Sequence, residues 1–374
     1  MKCKISQAEF AKALRACEKS LLLKANLPVL ANILVSVGKN KLEILSTNLE
    51  TATKVTIPSQ TQQEGKITLP GRVLMEFVSQ LPEGTIELEK LGEEIVLSVK
   101  GYNARFATMV PEEFPAIPKI ETGREFKMEA QLFAKSASQI VFCAAQDEGR
   151  PILNGVLCEG GKNKLSMVAT DGYRLGFVEM VTEGEEKATK IVIPAKSIGE
   201  VAKLIGESLA GDKEEMLKMV VSDSLNQVNF KIDNIEFTSR LIEGEFPNWQ
   251  KIIPASFLTR AKIQREDLIR KIKIASIFAR DSGNIVRLKL EGKKLTIMAN
   301  TSQVGSNETE TEIDINGKGG EIAFNFRYLL EALSAVEGED VNFEMSESLT
   351  PGRLTPAEKQ KEFFHIIMPV RLQT

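Results

Sequence analysis

Gly38-Lys39-Asn40-Lys41-Leu42-Glu43-Ile44-Leu45 is written again as Gly161-Lys162-Asn163-Lys164-Leu165-Ser166-Met167-Val168, and a third time as Gly292-Lys293-Lys294-Leu295-Thr296-Ile297-Met298. The lysines at 41, 164 and 294 are 123 and 130 positions apart. A second anchor keeps that spacing. Lys66-Ile67-Thr68-Leu69-Pro70 returns as Lys190-Ile191-Val192-Ile193-Pro194 and then as Glu321-Ile322-Ala323-Phe324-Asn325, with starts 124 and 131 apart. Phe114-Pro115 recurs as Phe246-Pro247 after 132 residues. Self-similarity at independent anchors marks a repeat, and a period this long is a duplicated domain, because solenoid units repeat every ~20 to 50 residues. The chain is expected to hold three domains, at residues 1–122, 123–255 and 256–374.

Each domain is doubled in turn. A short alternating strand feeding an amphipathic helix opens each half, at Lys2, Lys66, Glu125, Lys190, Arg260 and Glu321. Phe10, Leu14 and Cys17, or Leu74, Phe77, Val78 and Leu81, follow the helical period. The segments between helices alternate and are broken by Gly-Lys-Asn, Pro-Glu-Gly and Asp-Gly turns, the pattern of antiparallel strands. The fold class is therefore α+β, with two helices on antiparallel sheets in each of three tandem domains.

Composition removes several functions. No run approaches the ~18 to 20 apolar residues of a membrane span, so no membrane partner is expected. Met1-Lys2-Cys3-Lys4-Ile5 lacks the apolar stretch of a secretory leader. Cys3, Cys17, Cys143 and Cys158 form no metal or disulfide pattern, which leaves reduced thiols and a cytoplasmic setting, with no metal or other cofactor expected. The single histidine, His365, stands in Phe363-Phe364-His365-Ile366-Ile367, a strand pattern. Histidine-based catalysis would rest on that residue alone, and no glycine-rich phosphate loop is present. The carboxylates most tempting for an enzyme, Asp147-Glu148 and Asp171, lie in turn-like sequence where such residues serve local purposes.

The formal net charge is −3, yet its distribution is uneven. Taking the helices as about 6–20, 71–80, 130–146, 195–205, 265–280 and 326–335, they hold 13 Lys and Arg against 7 Asp and Glu, so the helices carry +6 and the remainder −9. Six helices on one concave surface would make it positive, suited to phosphates rather than base edges. Helices about 10 Å across, six to a ring, leave a hole of about 10 Å, and twelve leave about 28 Å. A duplex about 20 Å wide needs the second arrangement: two chains, head to tail. A scaffold that binds only proteins is the rival reading, and the charge split counts against it.

Ala169-Thr170-Asp171-Gly172-Tyr173-Arg174-Leu175 and Met368-Pro369-Val370-Arg371-Leu372, supported by Asn26–Leu30, Leu153-Asn154-Gly155 and Phe246–Trp249, resemble the bacterial DNA polymerase III beta subunit family, the replicative sliding clamps. The resemblance spans essentially the whole chain. It implies a homodimeric ring around duplex DNA, opened by an ATP-driven clamp loader, that lends processivity to the replicative polymerase catalytic subunit and has no reaction of its own. It also implies association with the nucleoid during replication. Other polymerases and repair proteins would dock short peptides in a groove, which carries over to Leu153, Thr170, Gly172, Tyr173, Arg174, Leu175, Pro247, Ile252, Ile367, Met368, Pro369, Val370 and Arg371.

The family's DNA-facing positions carry over to Lys24, Arg72, Gln146, Arg150 and Lys196. Here the chain departs from the pattern, with Pro151-Ile152 where some clamps carry tyrosines, which removes stacking surface. The resemblance places dimerisation on edge strands of the first and third domains, at Arg105, Phe106, Ile277 and Phe278. An exposed edge bearing Phe106 would need a partner. Opposite Arg105, Gln303-Val304-Gly305 stands where carboxylates are expected; either few ion pairs cross, or Glu308 and Glu310 supply them.

Overall fold

The computed structural model describes residues 1–22, 27–117, 120, 122–147, 149–184, 188–208, 215–222, 226–301, 305–358 and 362–371. Among them are six α-helices: α1 (Gln7–Glu18), α2 (Gly71–Gln80), α3 (Ala130–Ile140), α4 (Ala195–Ser208), α5 (Arg265–Ala279) and α6 (Phe326–Ala335). Each follows directly on one of the six expected strands. The helix α3 is shorter than expected. It gives way at Ile140 to a 3-10 turn, Val141–Cys143, so the sequence to Gln146 is not helical.

The repeated Gly-Lys-Asn-Lys stretches are hairpin turns. Gly38 pairs with Lys41 and Gly161 with Lys164, and Asn40 and Asn163 take φ of 56° and 68°. Asparagine tolerates that left-handed geometry better than most residues. In the third copy Glu291 pairs with Lys294, so Gly292 sits inside the turn, at φ 58°. The three lysines are equivalent, but Gly292 matches Lys39 rather than Gly38.

By backbone packing the chain forms two units, Met1–Gln131 with Glu200–Leu241, and Leu132–Gly199 with Ile242–Thr374. In the first unit, five strands run in the order Gln60–Gln63, Lys2–Ser6, Thr85–Leu91, Glu94–Val99, Tyr102–Ala107. A longer antiparallel sheet runs Arg124–Glu129, Met216–Ser222, Gln227–Ile232, Ile235–Arg240, Thr51–Pro58, Lys41–Thr47, Asn32–Gly38, Gly65–Pro70. Its middle joins two repeats, because Ile235–Ser239 pairs with Thr51–Val55.

The second unit repeats the plan. Its larger sheet runs Thr189–Pro194, Gly155–Gly161, Lys164–Thr170, Arg174–Val181, Phe363–Ile367, Gly352–Pro356, Asp340–Met345, Thr259–Gln264, Asp314–Gly317. Here the joint between repeats is the pairing of Arg174–Val178 with Phe363–Ile367. A four-stranded sheet, Gly305–Glu312, Lys294–Thr301, Ile285–Glu291, Gly320–Asn325, completes it. The helices bury one face of these sheets in each unit, through Phe10 and Leu14 of α1 and Leu268, Ile272 and Ala275 of α5. Burying one such side chain is worth ~1.5–3 kcal/mol.

Candidate functional site

The Thr170–Arg174 turn is built from its own side chains. Gly172 takes φ 90°, a geometry that costs a glycine little. The Gly172 N–H donates to Thr170 Oγ1 at 3.0 Å, and the Tyr173 and Arg174 N–H groups donate to Asp171 Oδ1 at 2.8 and 3.0 Å. Asp171 is thus occupied as a turn acceptor. Its second oxygen takes the Arg174 Nε at 3.0 Å. The Arg174 guanidinium also donates to the Phe142 carbonyl at 2.6 Å, pairs with Glu331 of α6, and lies 4.6 Å from the centroid of the Tyr328 ring.

Next to this turn the sheet is apolar. Antiparallel pairing places Leu175 opposite Ile366 and Phe177 opposite Phe364, and cross-strand partners share a face. Leu175 and Ile366 join Leu153, Leu157, Val168, Phe246 and Trp249 in one cluster, with Ile252 and Ile253 packed against it. Phe177 stacks between Phe364, at 4.8 Å, and Trp249, at 5.2 Å. Gly155 is required at the edge of this cluster, since a Cβ there would overlap the Val192 side chain.

One expected groove residue falls elsewhere. Both isoleucines are buried, but Ile367 pairs with Arg174 and Ile366 with Leu175, so Ile367 points to the opposite face of the strand from the cluster. A strand's period of two makes a one-residue error a change of face. Ile366 is the residue on the cluster's side, and the apolar run Phe363–Ile367 holds no alternation that separates it from Ile367. Trp249 also belongs to the cluster, with Phe177 and Phe364 packed against it, and of the three only Trp249 falls in a quoted motif, Phe246–Trp249.

The remaining groove residues lie on the Thr170–Arg174 turn, at Pro247 and on the C-terminal segment. Thr170 is buried, and Gly172, Pro247 and Tyr173 are exposed, Tyr173 at 60%. The C-terminal segment crosses the turn: Met368 N–H donates to the Tyr173 carbonyl and Val370 N–H to the Ala323 carbonyl, each at 2.8 Å. Met368, Pro369 and Val370 are half-buried and Arg371 is exposed. Arg174 and Arg371 therefore differ, the first committed inward and the second facing solvent.

Among the residues expected to face DNA, Lys24 lies outside the described residues. Arg72 is exposed near the start of α2, 2.9 Å from Glu76, and Lys196 is exposed near the start of α4. Gln146 and Arg150 are exposed in non-helical chain, and Arg150 pairs with Asp147 at 3.3 Å. Arg150 also abuts the Gly172 turn, where an added Cβ would meet its guanidinium at 2.9 Å. Pro151 and Ile152 open a 3-10 turn, and Ile152 packs on the apolar cluster.

For the dimer residues the structure is mixed. Tyr102–Ala107 is the edge strand of its sheet, and Arg105 on it is exposed, 3.3 Å from Glu94. Phe106 is not exposed: it is 6% accessible and packs edge-to-face on Phe77 of α2 at 5.7 Å. Strand alternation turns it inward, into its own core. Ile277 of α5 is 55% exposed and Phe278 is half-buried. The edge strand Gly305–Glu312 carries Glu308, Glu310 and Glu312 outward, with Glu310 2.6 Å from Lys294.

His365 is 1% exposed, its Nδ1 3.6 Å from the Cys143 sulfur. Burial, helped by the Arg174 charge, lowers its pKa to about 3. The four thiols are buried, and burial pushes Cys17 and Cys158 up to about 12. Among the described residues no group of three His, Cys, Asp or Glu could hold a metal, and no helix is long and apolar enough to cross a membrane.

Comparison with known proteins gives a single answer. Models for the DNA polymerase III beta subunit match in order, the N-terminal domain at residues 1–118, the central domain at 127–248 and the C-terminal domain at 250–371. The beta sliding clamp of Synechocystis sp. is 28% identical, with all of both chains covered, and that of Staphylococcus epidermidis 26%, with 99% of each. Among solved structures, the DNA polymerase III beta subunit of Thermotoga maritima superposes with a TM-score of 0.92 at 27% identity. The DNA polymerase sliding clamp of Bacillus subtilis does so at 0.94 and 25%, and both are covered completely.

Proposed function

The chain belongs to the DNA polymerase III beta subunit family, the non-catalytic sliding clamps that give a polymerase processivity, and from that premise we propose how its surfaces divide the work. Two copies close head to tail around duplex DNA. The three domains are 1–122, 123–255 and 256–374. The edge strand Tyr102–Ala107 of one copy adds to Gly305–Glu312 of the other, with Arg105 facing Glu308 and Glu310. Unpaired strand edges supply the main-chain donors and acceptors for such a joint. Ile277 and Phe278 cover its helical side, while Phe106 supports the edge from within.

The positive helices face the duplex. Lys24, Arg72, Lys196, Gln146 and Arg150 meet phosphates, which fix no sequence and let the ring slide. The clamp supplies no reaction and needs no metal or other cofactor. Its effect is tethering: a polymerase held at ~mM effective concentration rebinds its primer end before it diffuses away. The clamp loader, the replicative polymerase, other polymerases and repair proteins share one groove. It is formed by Leu153, Leu175, Ile366, Ile252 and Pro247, with the Thr170–Arg174 turn and Met368–Arg371 at its rim. The protein works in the cytoplasm, at the nucleoid during replication.

The observation that carries the partner side of this reading is the apolar cluster around Leu175 and Ile366, flanked by an exposed Tyr173 and a half-buried C-terminal segment. The decisive experiment loads the protein on nicked circular DNA with a loader and then linearises the circle. Release through the free ends is expected; retention on unblocked linear DNA would overturn encirclement.

A further inference from the structure

The apolar face of the groove does not end at Ile366. Ile366 is opposite Leu175 on one side and Arg353 on the other. Arg353 is opposite Glu344, Glu344 opposite Arg260, and Arg260 opposite Asn316. One cross-strand row therefore runs Leu175, Ile366, Arg353, Glu344, Arg260, Asn316, all on the face away from the helices. Its far half lines a cavity of about 360 Å³, bounded by Arg260, Asn316, Glu344 and Arg353 and by the Pro254–Leu258 chain.

The charge in this cavity is unbalanced. Glu344 is 1% exposed and lies between two guanidiniums, accepting from Arg260 Nε at 2.7 Å and from Arg353. Burial pushes its carboxyl up, but the hydrogen bonds from Arg353 and Arg260 outweigh that and hold it below the ordinary range. Two cations thus share one anion. Arg353 is held further by the Phe257 ring, whose centroid lies 4.6 Å from its guanidinium carbon. The Arg260 side chain is 60% exposed and keeps N–H groups for a second acceptor.

The geometry points to a specificity element of the groove: Arg260 and Arg353 select partner peptides that carry a carboxylate a few residues from the apolar anchor. This rests on the groove reading above. Strands about 4.8 Å apart put Arg260 about 14 Å from Ile366 along the row, and an extended peptide covers that span in about four residues. The occupant is an extended peptide with an apolar anchor against Ile152, Ile252 and Phe364, the partly buried side chains packed on the buried Leu175 and Ile366, and an Asp, Glu or terminal carboxylate over the arginines. The buried Glu344 fixes both guanidiniums in place before the peptide arrives, which removes part of the ordering cost.

The test uses fluorescence anisotropy on the full-length protein. The probes are labelled ten-residue Ser/Gly peptides with two adjacent leucines and, four residues to either side, Glu or Gln. In one orientation the Glu peptide should bind about fivefold tighter at low salt, the scale of a partly exposed ion pair. The preference should shrink in 0.5 M salt and vanish in Arg260→Gln, while Glu344→Gln, which leaves a larger positive excess, should keep or widen it. Equal binding of Glu and Gln peptides to the wild type, with both weakened by Ile252→Ser, overturns the carboxylate element and leaves the groove standing. No binding of any probe to a folded wild-type protein overturns both. A preference that persists in Arg260→Gln assigns it to another site and overturns the proposal.

Discussion

Arg174 and Glu331 form an ion pair that ties the Asp171 turn of the second repeat to helix α6 of the third. The arginine side chain is only 11% exposed, and it also stacks on Tyr328 and caps the Phe142 carbonyl. Removing it takes the arginine donor from Asp171 Oδ2 and leaves a hole between sheet and helix. Arg174→Ala should cost ~2–4 kcal/mol in urea unfolding. Glu331→Gln, at a more exposed partner, should cost under ~1 kcal/mol. Equal losses would mean that the charge network, not packing, sets the value.

The two faces of the last strand predict different phenotypes for neighbouring residues. Ile366→Ala and Ile367→Ala each empty a buried site and should destabilise by ~2–5 kcal/mol. Only Ile366→Ala should also weaken binding of an apolar-anchor peptide, by about tenfold at a temperature where both variants are folded. Matched peptide affinities would return Ile367 to the groove.

At the strand edge, Arg105→Glu should weaken the dimer about tenfold, read by sedimentation against concentration, with the loss smaller at high salt. Phe106→Ala should instead act on the monomer's own stability, by ~3–5 kcal/mol, because Phe106 packs on Phe77. A dimer unaffected by Arg105→Glu would move the interface elsewhere.

His365 makes the native state sensitive to acid. Its folded pKa is depressed to about 3 from an ordinary value of 6.5. Above 6.5 both states are neutral and nothing is lost. Between 6.5 and 3 the unfolded chain binds a proton that the native chain refuses, so stability falls as pH falls through that window. The loss reaches several kcal/mol at the acid end, because a tenfold change in proton affinity corresponds to ~1.36 kcal/mol. His365→Phe should flatten the urea-unfolding profile between pH 6 and 4, relative to wild type; parallel profiles would show that the ring is protonated in the fold.

The repeat is legible in the sequence because its anchors are turns, and turns are fixed by local chemistry such as the left-handed Asn40 and Asn163. The Asp171 turn is legible for the same reason. Ile366 and Ile367 are a different case, since composition does not tell two isoleucines apart and only the register decides. Phe106 reads as exposed on an edge strand, but edge position and side-chain direction are separate facts. The Arg353–Glu344–Arg260 row is invisible in the sequence because charges alternating along a strand resemble a solvated face. Only long-range pairing assembles them.

Where the sheets join has a consequence for how such a chain can be taken apart or put together. Thr51–Val55 pairs with Ile235–Ser239, and Arg174–Val178 with Phe363–Ile367. A middle repeat expressed alone would bare the Ile235–Arg240 and Arg174–Val181 strands, each a template for wrong pairing. The repeat in the sequence and the joined sheets are out of phase. Excision at 122 and 255 should therefore yield an aggregating fragment, and a soluble half should come only from splicing pieces that no single repeat contains.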